Sequence, residues 1–267
     1  MMPLPPLLLV GGGRMGSAMI AGWREHGLAA AIVVDPSPAA ALAGPAVSVV
    51  AAPDAIPDDF SPQAVIFAVK PQTAANALPL YRRYPAALFI SIMAGQTIGS
   101  IGTLLDHPNA AIVRAMPNTP AAIRQGFTVA VAGPHVSAGQ RLLADRLLAA
   151  VGEVAWVADE ALLDPVTAIS GGGPAYLFLL TELMEQAARD HGIPADLARA
   201  MARRTVIGAA GLLAAGNEDA AALRVAVTSP KGTTEQALAI LRAEHAWPDT
   251  FARAIAAATK RSQELSG

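Results

Sequence analysis

Residues 7–16 read Leu-Leu-Leu-Val-Gly-Gly-Gly-Arg-Met-Gly. Four apolar residues running into glycine predict a buried strand over Leu7–Val10. Gly11, Gly13 and Gly16 then satisfy G-x-G-x-x-G, and a helical pattern follows over 17–26. The glycines let the chain turn tightly and bring backbone N–H groups close to a pyrophosphate, whose charge the helix N-terminus favours. Gly11, Gly13, Arg14, Met15 and Gly16 are therefore expected to hold a dinucleotide. The plain structural alternative is a glycine-rich turn without a ligand. The strand–turn–helix context argues against it.

A second strand, expected over Ala31–Val34, ends at Asp35, nineteen residues past Gly16. An acid about 20 residues on is the usual partner of the adenosine ribose diol. Asp35 favours NADH and repels a 2′-phosphate. Ser37 and Arg14 are suited to holding a phosphate, so NADPH and NADH both stay open. A solvated turn residue before Pro36 is the bland alternative for Asp35.

Outward from this unit, short apolar runs predict strands over 64–69, 88–92, 111–114, 128–132 and 154–157. Helical stretches lie over 73–80 and 135–151. Strand and helix in alternation imply a parallel sheet covered on both faces, a Rossmann-like doubly wound α/β domain over residues 1–158. Past Asp159 the strand-like runs stop. Helices are expected over 174–190, 194–215, 219–227, 233–244 and 248–265, which makes residues 159–267 an all-α domain.

Composition narrows the function. Hydrophobic residues make up 53% of the 267, charged residues 15%, and the formal net charge is −2. This excludes a disordered chain. It also supplies no positive excess for nucleic acid. There is no cysteine, so disulfides, thiolate catalysis and Cys-ligated metals are excluded. The five histidines form neither HExxH nor HxH, and no metal is expected. No run of about 18 apolar residues suggests a membrane span. The 7–10 run is too short and lacks a basic flank for a signal peptide, so a cytoplasmic location is expected.

Four further motifs sit where chemistry is expected. AVKPQ (68–72) follows a strand, and Lys70 is one of only three lysines. RAMPNTPA (114–121) follows another, and its two prolines fix an extended loop. ISGGGPAYLF (169–178) opens the first helix of the second domain. VTSPKGTTEQAL (227–238) ends one helix and starts another. There Thr233 to Gln236 fits an S/T-x-x-E/Q capping box. The same geometry would let the N–H groups of Gly232, Thr233 and Thr234 bind a small carboxylate.

With VGGGRMG (10–16), these motifs stand in the order found in the pyrroline-5-carboxylate reductase family, which the chain resembles over nearly its whole length. The resemblance implies NAD(P)H-dependent reduction of 1-pyrroline-5-carboxylate, a cyclic imine, to L-proline, the final step of proline biosynthesis. It places Val69, Lys70 and Pro71 beside the cofactor's ribose and phosphates. It places the loop of Met116 and Asn118 near the reacting ring, with Met116 towards substrate and Asn118 towards cofactor. Ser229, Gly232, Thr233 and Thr234 would bind substrate, and the Thr234 hydroxyl would lie near the imine nitrogen as the catalytic group.

Two positions depart from the family pattern: Gly172, where a small polar residue is usual, and Lys231, where glycine is common. The family also implies a homodimer through the helical domain, in some members a larger ring of dimers. The SPKGTT loop of either chain could then complete the site. Two other readings fit the same architecture. One is a different imine or hydroxyacid reductase, which a lysine count of two in the helical half weakens. The other is a non-catalytic dinucleotide-binding protein, which a turnover assay separates.

Overall fold

A computed structural model describes residues 3–37 and 42–266. The strands are β1 Leu7–Val10, β2 Ala31–Val34, β3 Val47–Val50, β4 Ala64–Phe67, β5 Leu88–Ser91, β6 Ile112–Met116, β7 Gly126–Ala132 and β8 Gly152–Trp156. They form one sheet in the order β3-β2-β1-β4-β5-β6-β7-β8. The helices beside it are α1 Arg14–Glu25, α2 Ala74–Ala77, α3 Ile98–Leu104, α4 Ala138–Ala149 and α5 Leu163–Val166. Then follow α6 Gly173–Asp190, α7 Ala195–Ala215, α8 Ala220–Ala226, α9 Thr233–Leu241 and α10 Trp247–Ser266.

Every residue of β1, β2, β4 and β5 is buried, as strands covered on both faces must be. One face packs Leu7, Leu9, Met19, Ile20, Trp23, Ile66 and Leu147. The other packs Leu8, Val65, Phe67, Tyr81, Phe89 and Ile101. Trp23 is fully buried and satisfies its indole N–H on the Leu147 carbonyl at 2.8 Å, which ties α1 to α4. Burying a side chain of this size contributes roughly 2–3 kcal/mol.

The sheet is not wholly parallel. β7 runs antiparallel to β6, and β8 runs parallel to β7. Apolar runs reveal strands but not their direction: the expected parallel sheet holds except where β7 pairs with β6. β3, an edge strand with half-exposed residues, and α3, diluted by Gly99 and Gly102, were not expected. The expected helix over 73–80 is reduced to the short α2, preceded by a 3₁₀ turn that Pro71 opens and followed by one that contains Pro79. α4 starts later than 135 because Ser137 and Gln140 form a full capping box.

Two compact units emerge. One runs up to Gly171 and takes in α10 from Ala258 onward; the other is Gly172–Ala257. Strands do end before 159, but residues 159–171 group with the sheet. The physical tie is Glu160, whose carboxylate meets Arg114 in β6 at 3.0 Å and the Ile98 N–H of α3 at 2.8 Å.

Candidate active site

β1 passes into α1 through a turn only glycine can make. Gly11 has φ +103°, and a Cβ there would stand 2.6 Å from the Ala68 carbonyl oxygen. A Cβ on Gly16 would overlap the carbonyl of Gly11. The turn therefore presses its own backbone together and against the end of β4. No side chain caps α1 and no acid lies in its first turn, so its leading N–H groups stay available to an anion. Gly13 faces open space, Arg14 is exposed and Met15 is half-buried. This cradle fits a pyrophosphate.

Asp35, directly after β2, reaches back to this turn. Its Oδ2 accepts the Gly12 N–H at 2.6 Å and its Oδ1 accepts the Ser37 N–H at 2.8 Å. Each carboxylate oxygen keeps acceptor capacity for a ribose hydroxyl. The order of strands reverses between β1 and β4, the crevice where open α/β sheets hold ligands. Beyond β4, Val69 is half-buried and Lys70 exposed. Pro71 opens a 3₁₀ turn, pinned by the Thr73 hydroxyl on the Lys70 carbonyl at 2.8 Å.

At the end of β6 the expected residues separate by depth. Met116 is 6% exposed and packs with Val129, Val131 and Leu163. Its sulfur lies 3.9 Å from where a Cβ of Gly171 would stand. The Asn118 amide is spent on holding its loop: Oδ1 accepts the Phe127 N–H at 2.9 Å, and Nδ2 donates to Ser170 Oγ at 3.3 Å. Arg114, buried within β6, pairs with Glu160 at 3.0 Å. An arginine inside an apolar strand announces an acidic partner, but no spacing marks which one. Glu160 is a supporting residue that the sequence did not single out, and Ser170 stood inside the motif ISGGGPAYLF with no role of its own.

In the helical unit, residues 227–232 form the turn between α8 and α9. The expected capping box is absent. Gly232 occupies the N-cap with φ −85° and ψ 171°, and no side chain caps the helix. Thr233 falls inside the first turn, where its hydroxyl has no cap to make. Instead the Glu235 carboxylate reaches back to the Lys231 N–H at 2.8 Å. Lys231 takes φ +61°, a conformation that favours glycine. The Gly232 N–H is used within the turn, on the Ser229 carbonyl at 3.0 Å. That leaves the leading amides of α9, at Thr233 and Thr234, for an external acceptor. Ser229, Thr233 and Thr234 are exposed, and Thr228 bonds the Arg224 carbonyl.

Among the described residues no group of three His, Asp or Glu could hold a metal, and no helix is long and apolar enough to cross a membrane. Residues 160–265 match the family described as pyrroline-5-carboxylate reductase dimerisation. Residues 7–95 match the family described as NADP oxidoreductase coenzyme F420-dependent. A pyrroline-5-carboxylate reductase of Pseudomonas aeruginosa is 38% identical, with 99% of this chain and 98% of that protein aligned. One of Haemophilus influenzae is 35% identical, over 97% of each chain. Among solved structures, a pyrroline-5-carboxylate reductase from Coxiella burnetii is 30% identical with a TM-score of 0.86 over 99% of both chains. A Plasmodium falciparum pyrroline carboxylate reductase with NADP bound, 24% identical, shares the fold at a TM-score of 0.86.

Proposed function

The chain belongs to the pyrroline-5-carboxylate reductase family, and on that premise we propose how its residues divide the work of the reaction. The activity is NAD(P)H-dependent reduction of the C=N bond of 1-pyrroline-5-carboxylate to give L-proline. When bound, the reduced nicotinamide supplies the hydride that adds to the imine carbon. The protonated imine is already electrophilic, so the protein's task is alignment more than acid–base chemistry.

In this reading Gly11, Gly13, Arg14, Met15 and Gly16 hold the pyrophosphate. Asp35 takes the adenosine ribose, with Ser37 beside it, and sets a preference for NADH. Val69, Lys70 and Pro71 border the ribose and phosphates on the other side. Met116 backs the reacting ring from the core, and Asn118 shapes the loop that lines the cofactor. Ser229, Gly232 and Thr233 present the substrate carboxylate with the turn and the leading amides of α9. The Thr234 hydroxyl hydrogen-bonds the imine nitrogen and orients the ring. A neutral hydroxyl is a poor general acid, so Thr234 acts by orientation and by passing a proton rather than by releasing its own.

The observation that carries this reading is the start of α9. A helix of nine residues begins there with glycine at its N-cap and no side-chain cap, in a turn that otherwise has every reason to cap itself. The helix dipole favours an anion at that point. Reduced nicotinamide cofactors are intracellular, which supports a cytoplasmic location. The helical unit, by its family, also supports a homodimer, with rings of dimers as the further possibility to be weighed by mass.

The test is steady-state reduction of 1-pyrroline-5-carboxylate with NADH and with NADPH, by the native chain and by Thr234→Ala. The native chain should turn over with both and better with NADH. The variant should lose about 100-fold in kcat, the low end of what a positioned proton-transferring side chain contributes. Its NADH affinity, read by fluorescence, should stay unchanged. Native turnover in Thr234→Ala at saturating cofactor refutes the role.

A further inference from the structure

The last turns of α10 group with the sheet unit from Ala258 onward. Contacts at Ser262 and at Leu265 hold them there. The Ser262 hydroxyl donates to Asp164 Oδ1 at 2.7 Å, and the two residues are 4% and 9% exposed. Leu265 lies against Gly95: a Cβ built on Gly95 would stand 2.7 Å from the Cβ and 2.7 Å from the carbonyl oxygen of Leu265. Gly95 also has φ +71°, so both its conformation and its neighbour exclude a side chain.

These contacts fall on the supports of two loops. Gly95 belongs to residues 92–97, which join β5 to α3, and Met93 of that loop is buried. Asp164 lies in α5, which runs directly into a π-helical turn, Thr167–Gly171. That turn carries Ser170, which accepts from Asn118 in the loop after β6. It also sets Gly171 beside Met116. With the adenosine end of a dinucleotide at Asp35, next to β2, the other end runs over the carboxyl ends of β4, β5 and β6. The loops after β5 and β6 are the ones that border the nicotinamide there.

We propose that Ser262, acting through Asp164, and Leu265, acting through Gly95, are positioning residues for hydride transfer. Neither touches the reacting atoms. Together they set the height of the two loops against which the ring must lie. The inference rests on the dinucleotide assignment made for the glycine turn. It adds a control point that comes from the far end of the chain.

Three full-length variants test it: Ser262→Ala, Ser262→Thr and Leu265→Gly. The readouts are kcat at saturation, KM for each substrate, NADH affinity by fluorescence and Tm. A misplacement of about 1 Å near a reacting centre costs up to about a hundredfold in rate. Ser262→Ala should therefore lose about tenfold or more in kcat while its NADH affinity changes little. Ser262→Thr, which keeps the hydroxyl, should recover most of that loss. A folded Ser262→Ala with native kcat, whatever its Tm, overturns the proposal, as does an equal loss of kcat in both Ser262 variants. Should Ser262→Ala fail to fold, Leu265→Gly decides: a lowered kcat supports the positioning role and a native kcat overturns it. Failure of the dinucleotide assignment would look different, as loss of NADH binding and turnover by the native chain itself.

Discussion

At Asp35 one carboxylate meets two backbone amides, Gly12 N–H on Oδ2 and Ser37 N–H on Oδ1. The amide contacts shape the glycine turn, and in the proposed reading the charge selects the nucleotide. Asp35→Asn removes the charge and keeps one acceptor oxygen for the Gly12 N–H, giving up only the exposed contact to the Ser37 N–H. The ratio of kcat/KM with NADH to that with NADPH should fall about tenfold or more, equivalent to about 1.4 kcal/mol. Stability should change little. A ratio unmoved in the variant would assign nucleotide choice elsewhere, with Arg14 and Ser37 next in line. Asp35 was legible in the sequence because its distance from the glycines is set by one strand–helix–strand unit. Glu160, Ser170 and the Asp164–Ser262 pair were not. Each acts across a long stretch of chain, 98 residues in the last case, and no local spacing encodes such a meeting.

The start of α9 shows what a short element asks of its residues. Glycine at the N-cap leaves the first amides uncapped, and Glu235 braces the preceding residue from within the helix. Lys231 occupies a left-handed position, at a cost of about 1 kcal/mol for a residue with a side chain. A glycine there would relax the turn, partly offset by the greater freedom of the unfolded chain. The lysine contributes a positive charge two residues before Thr233, where an anionic substrate would approach. Lys231→Gly should leave Tm unchanged or slightly raised and increase the substrate KM several-fold at low salt. The gap should close as ionic strength rises and the Debye length shrinks towards about 3 Å at 1 M. Equal KM and equal salt dependence in the two proteins would reduce Lys231 to a solvated side chain. At this scale, legibility followed burial. Strands buried on both faces stood out as apolar runs. Half-exposed β3 and glycine-bearing α3 did not, and the reversed direction of β7 left no trace in its composition. The capping box was written in the sequence and then not used, because Gly232 took the cap first.

The helical unit carries the largest debt of the whole molecule. In Gly172–Ala257 only Ala198 and Ala202 are buried among the described residues. α6 buries none of its eighteen residues, although Leu177, Phe178, Leu179 and Leu183 lie on it, each more than half exposed. α7 adds Ile207, Leu212 and Leu213 in the same state, and α10 adds Trp247 and Phe251. A soluble monomer rarely shows contiguous apolar patches of this kind, and a helical unit without a core of its own lacks the burial that offsets its ordering entropy. A second copy of the same unit would supply what is missing, as the dimerisation family that matches residues 160–265 suggests. Obligate interfaces of this sort bury on the order of 2,000 Å² or more and resemble a divided core. Light scattering on the native protein should accordingly give twice the 27.2 kDa chain mass, or an even multiple of it if dimers close into a ring. Phe178→Glu puts a charge into that core and should yield monomer with lowered helix stability, or aggregate, while NADH binding by the sheet unit persists. A native protein that runs as a stable 27.2 kDa monomer at micromolar concentration would remove the dimer and leave the apolar faces of α6 and α7 to another partner.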